Sequence, residues 1–261
     1  MYIVVINRWK EETGELTQEI ARTLGLSAFE VQQRMLCGSP TVLTSFADPQ
    51  QAQVLVNKLN TLGIAAMVID ATEVRGRTGS IIVHHFKLNE SSLHIETDDN
   101  RSAEIPYTKV EVLLPATGTV TFSSIKTTTE KKFSLGKTLL TGGIPMFSTV
   151  TRQQEMTSQD SRKILYLYVI KRREPIIFSE DGLTYEGLGD AMKLSRGLNF
   201  TCLINELHRL CTGAVYDDRL LKRIGQTRLL GPTLNPDTNM DIATEILVQN
   251  LRLLRTRGRT G

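Results

Sequence analysis

The sequence predicts an α+β protein in three parts. These are a small β-α-α-β-α-β domain over residues 1–72, a mostly β domain over 80–212, and a helical extension over 213–261. Within residues 1–70, short continuous apolar runs alternate with apolar residues at helical spacing. From about Thr78 to Gly187 the chain changes to short β-prone segments separated by turn residues. A small α/β unit followed by a β domain is therefore expected.

Composition places the chain among ordinary globular proteins. Hydrophobic residues make up 40% and charged residues 23%, and the formal net charge of +3 is too small to predict a nucleic-acid partner. Three cysteines, Cys37, Cys202 and Cys211, are a sparse and odd set that favours a reducing compartment. The N-terminal apolar run has no charged region before it, and no apolar stretch is long enough for a membrane span. A cytoplasmic location is predicted.

The first unit begins with a buried strand over Tyr2–Ile6, since Val and Ile form a continuous run there. A helix follows, because apolar residues recur every fourth position before Gly25, which suits a C-terminal cap; they are Leu16, Ile20 and Leu24. Ser27 and Glu30 have the spacing of a capping box, so a second short helix is expected to begin there and to stop before Pro40.

The second half of this unit repeats the alternation. Residues 41–46 are β-prone, and Asp48-Pro49 combines an N-cap with proline at the first helical position. The next helix has an apolar face made of Ala52, Leu55, Val56 and Leu59. Gly63 ends that helix, and a last strand is expected over residues 65–69.

This element order resembles the C-terminal domain of the bacterial ribosomal stalk protein and the ClpS adaptor, which share one topology. The segments GLSAFEVQQRM and ADPQQAQVLVNKLNTLGIAAMVI carry the resemblance over about the first quarter of the chain. Both families bind proteins and are not enzymes, so the resemblance implies a protein-binding module. Asn7 stands where ClpS begins its peptide-binding acidic run, but Arg8 and Trp9 follow it here. Recognition of N-terminal degradation signals is therefore not predicted.

The β domain is expected to follow a polar, glycine-bearing linker at residues 73–79. Strands are predicted over 81–88, 93–96, 104–114, 164–170 and 176–178, and Asp181-Gly182 predicts a hairpin turn leading to a strand over 183–186. The interval 117–162 has no clear pattern, and a strand pair with a loop is expected there. Asn199 is predicted to cap a helix whose apolar face contains Phe200, Leu203, Ile204, Leu207 and Leu210. A final helix is expected over about 238–255.

Residues 78–212 resemble a bacterial pleckstrin-homology-like domain. The segment SSLHIETDDNRSAEIPYTKVEVLL, with Ile105-Pro106-Tyr107 at the start of a strand, carries this resemblance. It implies a β-barrel closed by a C-terminal helix. Members of this family bind peptides, proteins or phosphoinositide head groups, and the fold alone does not choose among these partners.

The sequence predicts no catalytic, cofactor or metal site. Gly136-Lys137-Thr138 is half of a phosphate loop, but Lys131 occupies the position that needs the first glycine. His84 and His85 are adjacent on a predicted strand, so their side chains point to opposite faces. His208 and Cys211 share a helix face but lack a second pair of ligands, and their packing into the core is the competing interpretation.

The candidate binding residues are one aromatic residue and two basic clusters: Trp9, Lys131, Lys132, Lys171, Arg172 and Arg173. Trp9 is either a contact for a partner or a half-buried anchor. The basic residues are expected on loops, where they either bind an anionic surface or are simply solvated. The function predicted from the sequence is a non-catalytic adaptor or regulatory protein that binds a protein partner. The alternative is a peripheral module that binds anionic membranes through the basic loops, and nucleotide chemistry around Lys137 is a third possibility.

Overall fold

The structure is a computed structural model of the chain. It describes residues 1–8, 14–36, 38–97, 101–133 and 147–257, with the side chains at 15, 16, 35, 36, 119–160, 256 and 257 left undescribed. This part of the chain is a mixed α+β protein, as the sequence predicts. None of its helices combines the length and the apolar character that crossing a bilayer requires.

The N-terminal elements alternate strands and helices. In chain order they are β1 (Tyr2–Arg8), α1 (Gly14–Leu24), α2 (Ala28–Leu36), β2 (Thr41–Phe46), α3 (Pro49–Thr61) and β3 (Ala65–Asp70). The strands form an antiparallel sheet in the order β2-β1-β3. The predicted helix starts are confirmed, because Ser27 and Glu30 exchange capping hydrogen bonds and the Asp48 carboxylate accepts from the backbone N–H of Gln50.

This sheet is buried on both faces. One face packs against α1, α2 and α3 through residues that include Val4, Ile6 and Leu43. The opposite face, with Ile3, Val5, Val42, Met67 and Ile69, belongs to a second core that contains residues from the C-terminal part of the chain. Burial on both faces explains why β1 is a continuous apolar run and not an alternating one.

The predicted linker at 73–79 is wrong, because most of it is a helix with tertiary contacts. The helix α4 (Ala71–Gly76) begins at Asp70, whose carboxylate accepts hydrogen bonds from the backbone N–H groups of Thr72 and Glu73. Arg75 then donates to Asn239, and Arg77 forms an ion pair with Glu245. The polar residues of this segment therefore form a helix cap, a hydrogen bond and an ion pair, and are not those of a solvated linker.

The strands of the predicted β domain form two further sheets. They are β4 (Ile81–Val83), β5 (His85–Leu88), β6 (Ser92–Glu96), β7 (Ser102–Pro106), β8 (Val110–Phe133), β9 (Phe147–Val169), β10 (Ile176–Ser179) and β11 (Val215–Tyr216). One sheet has the order β11-β8-β9-β10-β4, and the other has the order β5-β6-β7. The long pair β8 and β9 provides the strand pair expected within 117–162.

Two strand predictions need correction. The strand expected over 81–88 is interrupted at His84, where β4 joins one sheet and β5 the other. Residues 183–186 form no strand. Thr184 donates one backbone hydrogen bond to the carbonyl of His84, and a 3-10 segment (Glu186–Ala191) follows. One backbone hydrogen bond is not enough to pair residues 183–186 with a neighbouring strand. The apolar residues of this segment pack into the core instead.

The described strands form three separate sheets, none of which closes into the barrel expected from the sequence. The five-stranded and the three-stranded sheet share one apolar core. Alternate residues of β8 divide between two cores, since Leu113 faces this one while Val112 and Leu114 face the core shared with the N-terminal sheet. The five-stranded sheet is therefore buried on both faces around residues 112–114 of β8.

Three helices complete the described chain: α5 (Arg196–Leu210), α6 (Arg223–Leu230) and α7 (Met240–Arg257). The apolar face predicted for α5 is confirmed at Leu203 and Leu207, which are fully buried. Its predicted cap is wrong, because the helix begins earlier and the Ser195 side chain accepts from the backbone N–H of Leu198. The helix α7 packs through residues that include Ile242, Ile246 and Leu247.

Residues 1–118 and 162–261 pack as one compact unit, and residues 119–161 form a second unit made of the continuing parts of β8 and β9. The three-part division at 72/80 and 212/213 does not coincide with this packing. A core shared by β1, β3, β8, α6 and α7 crosses both predicted boundaries.

Candidate functional site

The predicted binding and nucleotide-binding residues are only partly described. Trp9 and the segment Gly136-Lys137-Thr138 lie outside the described residues. Lys131 and Lys132 lie in β8, where only the backbone is described. The hypotheses about these residues stay predictions.

The second basic cluster is engaged with its own chain. The Arg172 guanidinium donates to the carbonyl oxygens of Glu174 at 3.1 Å and Gly79 at 2.5 Å. Arg173 donates to the Glu73 carboxylate at 3.2 Å, while Lys171 is exposed in the left-handed region with φ 68°. Hydrogen bonds to backbone and carboxylate reduce the capacity of these two arginines to bind phosphate. The structure thus gives this loop a role in holding the segment after α4.

The His208 and Cys211 pair is a packing arrangement. The His208 ring stacks on Tyr216 with a centroid distance of 4.3 Å, and Cys211 is buried in the core. Burial raises the pKa of the Cys211 thiol to about 11, so the thiol stays protonated at neutral pH. Among the described residues, no group of histidine, cysteine and acidic side chains is arranged to hold a metal ion.

A groove between α2 and α6 is the strongest candidate site. It encloses about 450 Å³ and has apolar walls with a polar rim; its lining comprises Phe29, Glu30, Gln33, Arg34, Thr41, Ile224, Thr227, Arg228, Gly231 and Pro232. Phe29 is 67% exposed and Ile224 is 59% exposed, which is unusual for two large apolar side chains that line one concavity. We call this site the α2–α6 groove.

The position of Phe29 follows from the way α2 packs. Val31 on the same helix is fully buried against the N-terminal sheet. Phe29 lies two residues earlier, about 200° around the helix, and therefore points away from that core. The capping box at Ser27 and Glu30 fixes the first turn, so the direction of Phe29 is set by hydrogen bonds as well as by packing.

The opposite wall comes from α6, which is anchored to β2 at its C-terminal end. Ile224 and Arg228 are four residues apart and share one face, while Leu229 and Leu230 are buried on the other side. The Thr41 hydroxyl donates to the carbonyl of Arg228 at 2.8 Å, which joins the helix end to β2. The C-cap Gly231 has φ 68° and lies against the Val42 carbonyl, where a side chain would crowd the strand.

The charged side chains that line the groove differ in how available they are to a ligand. The Glu30 carboxylate accepts hydrogen bonds from the backbone and hydroxyl of Ser27, and the backbone bond is the main cause of its lowered pKa. Arg34 donates from one nitrogen to the carbonyl of Leu43, and the Arg228 side chain is exposed. Arg34 also lies close enough to Glu30 to help lower the pKa of that carboxyl, so Arg228 is the groove cation that is most available to a ligand.

The described lining of the groove contains few groups that could transfer a proton. Of the described residues that line the groove, only Glu30, Arg34 and Arg228 are ionisable, and Glu30 is held as a helix cap. An apolar concavity with a few polar groups at its edge is typical of a recognition site.

Sequence reasoning did not identify this groove. Phe29 is a visible signal, because a large aromatic at the second position of a capped helix lies off the apolar stripe of that helix. Ile224 gives a weaker signal, since α6 is short and its pattern does not show which face is buried. Phe29 and Ile224 line the same groove because α6 packs on β2, and a local sequence pattern carries no information about that packing.

Comparison with known proteins gives no match to a protein-family model, to a curated protein or to a solved structure. The resemblances to the stalk protein, to ClpS and to pleckstrin-homology-like domains accordingly stay predictions.

Proposed function

We propose that this chain is a non-catalytic adaptor or regulatory protein that binds a protein partner in the α2–α6 groove. The observation that carries the proposal is the shared exposure of Phe29 and Ile224 at one concave surface. Large exposed apolar residues rimmed by polar groups mark interaction sites, because their exposure to water is unfavourable unless a partner covers them.

The groove suits an apolar side of a peptide or helix that carries acidic residues. Phe29, Ile224 and Pro232 provide the apolar contact, and Arg34 and Arg228 lie at the rim. An amphipathic helix places apolar anchors in a groove of this kind and keeps its charged residues at the edge. We expect the partner segment to carry apolar anchors and a carboxylate that meets Arg228.

The fold supports the same class of function. The element order β1, α1, α2, β2, α3 and β3 supports this proposal, because the two families that the sequence resembles are protein-binding modules. We further propose that β4 to β10 with α5 are an open relative of a pleckstrin-homology-like domain, since two sheets and a following helix share one core. Neither resemblance assigns the groove, so the proposal depends on the groove residues alone.

The test is capture of partners by the purified full chain, followed by direct titration of each purified partner. The variant Phe29→Ser with Ile224→Ser removes both apolar walls, and Val54→Ser changes a residue on α3 that is also 67% exposed. We expect the first variant to weaken binding by about 2 kcal/mol or more, roughly 30-fold in Kd, and the second to bind like wild type. Partners that bind the double variant with unchanged Kd would refute the groove as the site.

A further inference from the structure

A second apolar surface lies at the start of α5, away from the groove residues. Met192, Leu194 and Leu198 are exposed large apolar side chains within one short stretch of chain, and Leu194 is as exposed as it would be in an extended peptide. We call residues 192–198 the α5 loop. Clustered exposure of this kind indicates an interaction surface, whereas single exposed apolar residues are ordinary.

The loop is held in place by a buried amide. Asn199 is buried, its side-chain oxygen accepts from the backbone N–H of Lys193, and its amide nitrogen donates to the Lys193 carbonyl at 3.1 Å. Ser195 is the N-cap of α5, and its side chain accepts a hydrogen bond from the backbone N–H of Leu198. Both interactions fix the backbone on either side of Leu194. The exposure of Leu194 is therefore built into the fold and does not come from an untethered chain.

Basic residues alternate with the apolar ones. Lys193 and Arg196 are exposed within the loop, where the Arg196 guanidinium donates one hydrogen bond to the Asp181 carbonyl at 2.7 Å. Lys163 on β9 approaches the Thr201 hydroxyl of α5. Two of the three nearby acids already have partners on β9: Asp181 pairs with Arg162 at 2.7 Å, and Glu180 accepts from the backbone N–H of Lys163. Asp190 is an exposed acid just before the loop and offsets part of the positive charge.

We propose that the α5 loop inserts its apolar side chains into the interface of an anionic lipid bilayer. Leu194 protrudes between cations and does not line a groove, so a rigid protein partner would need a matching cavity for it. A fluid bilayer interface needs no such shape, and long basic side chains can reach head groups while neighbouring apolar side chains enter the acyl boundary. With Asp190 present, apolar insertion is the main attraction and charge a secondary one.

This inference goes beyond the partner-binding proposal and uses different residues. It also differs from the membrane alternative considered from the sequence, which placed lipid binding at Lys171, Arg172 and Arg173. The α5 loop differs from that cluster because it carries exposed large apolar side chains, which Lys171, Arg172 and Arg173 do not.

The test is co-sedimentation of the full chain with phosphatidylcholine vesicles, with and without phosphatidylserine. We expect wild type to pellet with the anionic vesicles more than with the neutral ones. The variant Met192→Gln with Leu194→Gln should lower partitioning at least about tenfold, as expected for the loss of buried apolar side chains. The matched control is Ile82→Gln, an exposed apolar residue on β4, which should partition like wild type.

Thermal unfolding of each variant checks that the substitutions leave the fold intact, which is expected because all three residues are exposed. Three results would overturn the inference. The first is wild-type protein that stays in solution with both vesicle types. The second is a loop variant that partitions unchanged. The third is a loop variant that loses self-association in gel filtration, which would assign the loop to a second copy of the chain. None of these results bears on the α2–α6 groove.

Discussion

Arg77 and Glu245 form a two-pronged ion pair that joins the segment after α4 to α7. The guanidinium nitrogens lie 2.7 Å and 3.0 Å from the two carboxylate oxygens, and both side chains are largely buried. The hydrogen bond that Arg77 donates to the Glu245 carboxylate is the main cause of the raised pKa of Arg77. Gln249 donates to the same carboxylate at 2.6 Å, so one glutamate connects two parts of the chain.

Replacing Glu245 with glutamine should destabilise the protein by about 3 kcal/mol, because a largely buried guanidinium loses its counter-charge. The matched control is Glu206→Gln, which breaks an ion pair of the same 2.7 Å length with Arg209 on the exposed side of α5. Exposed pairs contribute about 0–1 kcal/mol. Urea unfolding of the two variants compares them, and equal losses would contradict the structural role of the Arg77–Glu245 pair.

The fragment 1–72 should not fold into a stable monomer by itself. Removing the rest of the chain exposes the face of the N-terminal sheet formed by Ile3, Val5, Val42, Met67 and Ile69. An apolar face of this size favours aggregation or loose packing. Expression of the fragment, with binding of a hydrophobic dye and amide exchange, measures the effect. A soluble fragment whose β1 amides are protected from exchange as in the full chain would support the domain boundary expected from the sequence.

Limited proteolysis of the intact chain should spare residues 73–79. Cleavage requires a locally unfolded backbone, and this stretch is held by α4, by Arg77–Glu245 and by the Arg172 bond to the Gly79 carbonyl. Mass spectrometry of the fragments locates the cuts. In the Glu245→Gln variant, cleavage within 73–79 should become faster than in wild type, and early cleavage of the wild-type chain there would contradict the ordered segment.

Truncating Leu207 to alanine should cost roughly 2–5 kcal/mol, the range for a fully buried leucine. Leu207 is fully buried in the core shared by two sheets and α5. Arg209 is exposed, and Arg209→Ala should leave the denaturation midpoint almost unchanged, because it removes only an exposed ion pair. The denaturation midpoints of both variants test this prediction. Similar small losses of stability in the two variants would contradict the burial of Leu207.

Gly225→Ala should destabilise by about 1–3 kcal/mol, the usual cost of overpacking. A Cβ at Gly225 would collide with the backbone carbonyl of Arg219, and backbone atoms cannot move aside as a flexible side chain can. Gly213→Ala is the control, since its added carbon meets no atom within 4 Å. Thermal unfolding of the pair tests the close approach, and an unaffected Gly225→Ala variant would contradict it.

Cys211 should resist alkylation near pH 8, while the half-exposed Cys202 reacts faster. Burial raises the pKa of the Cys211 thiol to about 11, and only the thiolate reacts. The same shift affects stability. The unfolded thiol ionises from about pH 8.5, so the contribution of the buried neutral thiol is complete below that pH and is lost as pH rises toward about 11. Peptide mapping after timed alkylation measures both rates, and faster labelling of Cys211 would contradict its burial.

The sequence by itself determined the local elements of this protein. The Ser27–Glu30 box, the Asp48 cap and the buried positions Leu203 and Leu207 were all predictable, because each depends on neighbours within a few residues or on helical spacing. The continuous apolar run of β1 likewise indicated a strand with no exposed face.

Only the tertiary structure decided what those elements do together. It showed that 73–79 comprises the end of the helix α4 and a segment held by tertiary contacts, that Arg172 donates hydrogen bonds to its own chain, and that β4 and β5 belong to different sheets. It also brought Phe29 and Ile224 to one groove from opposite ends of the chain. These features depend on contacts between residues far apart in sequence. Such contacts are set by the packing of complete elements, whereas a sequence pattern reports only the periodicity within each one.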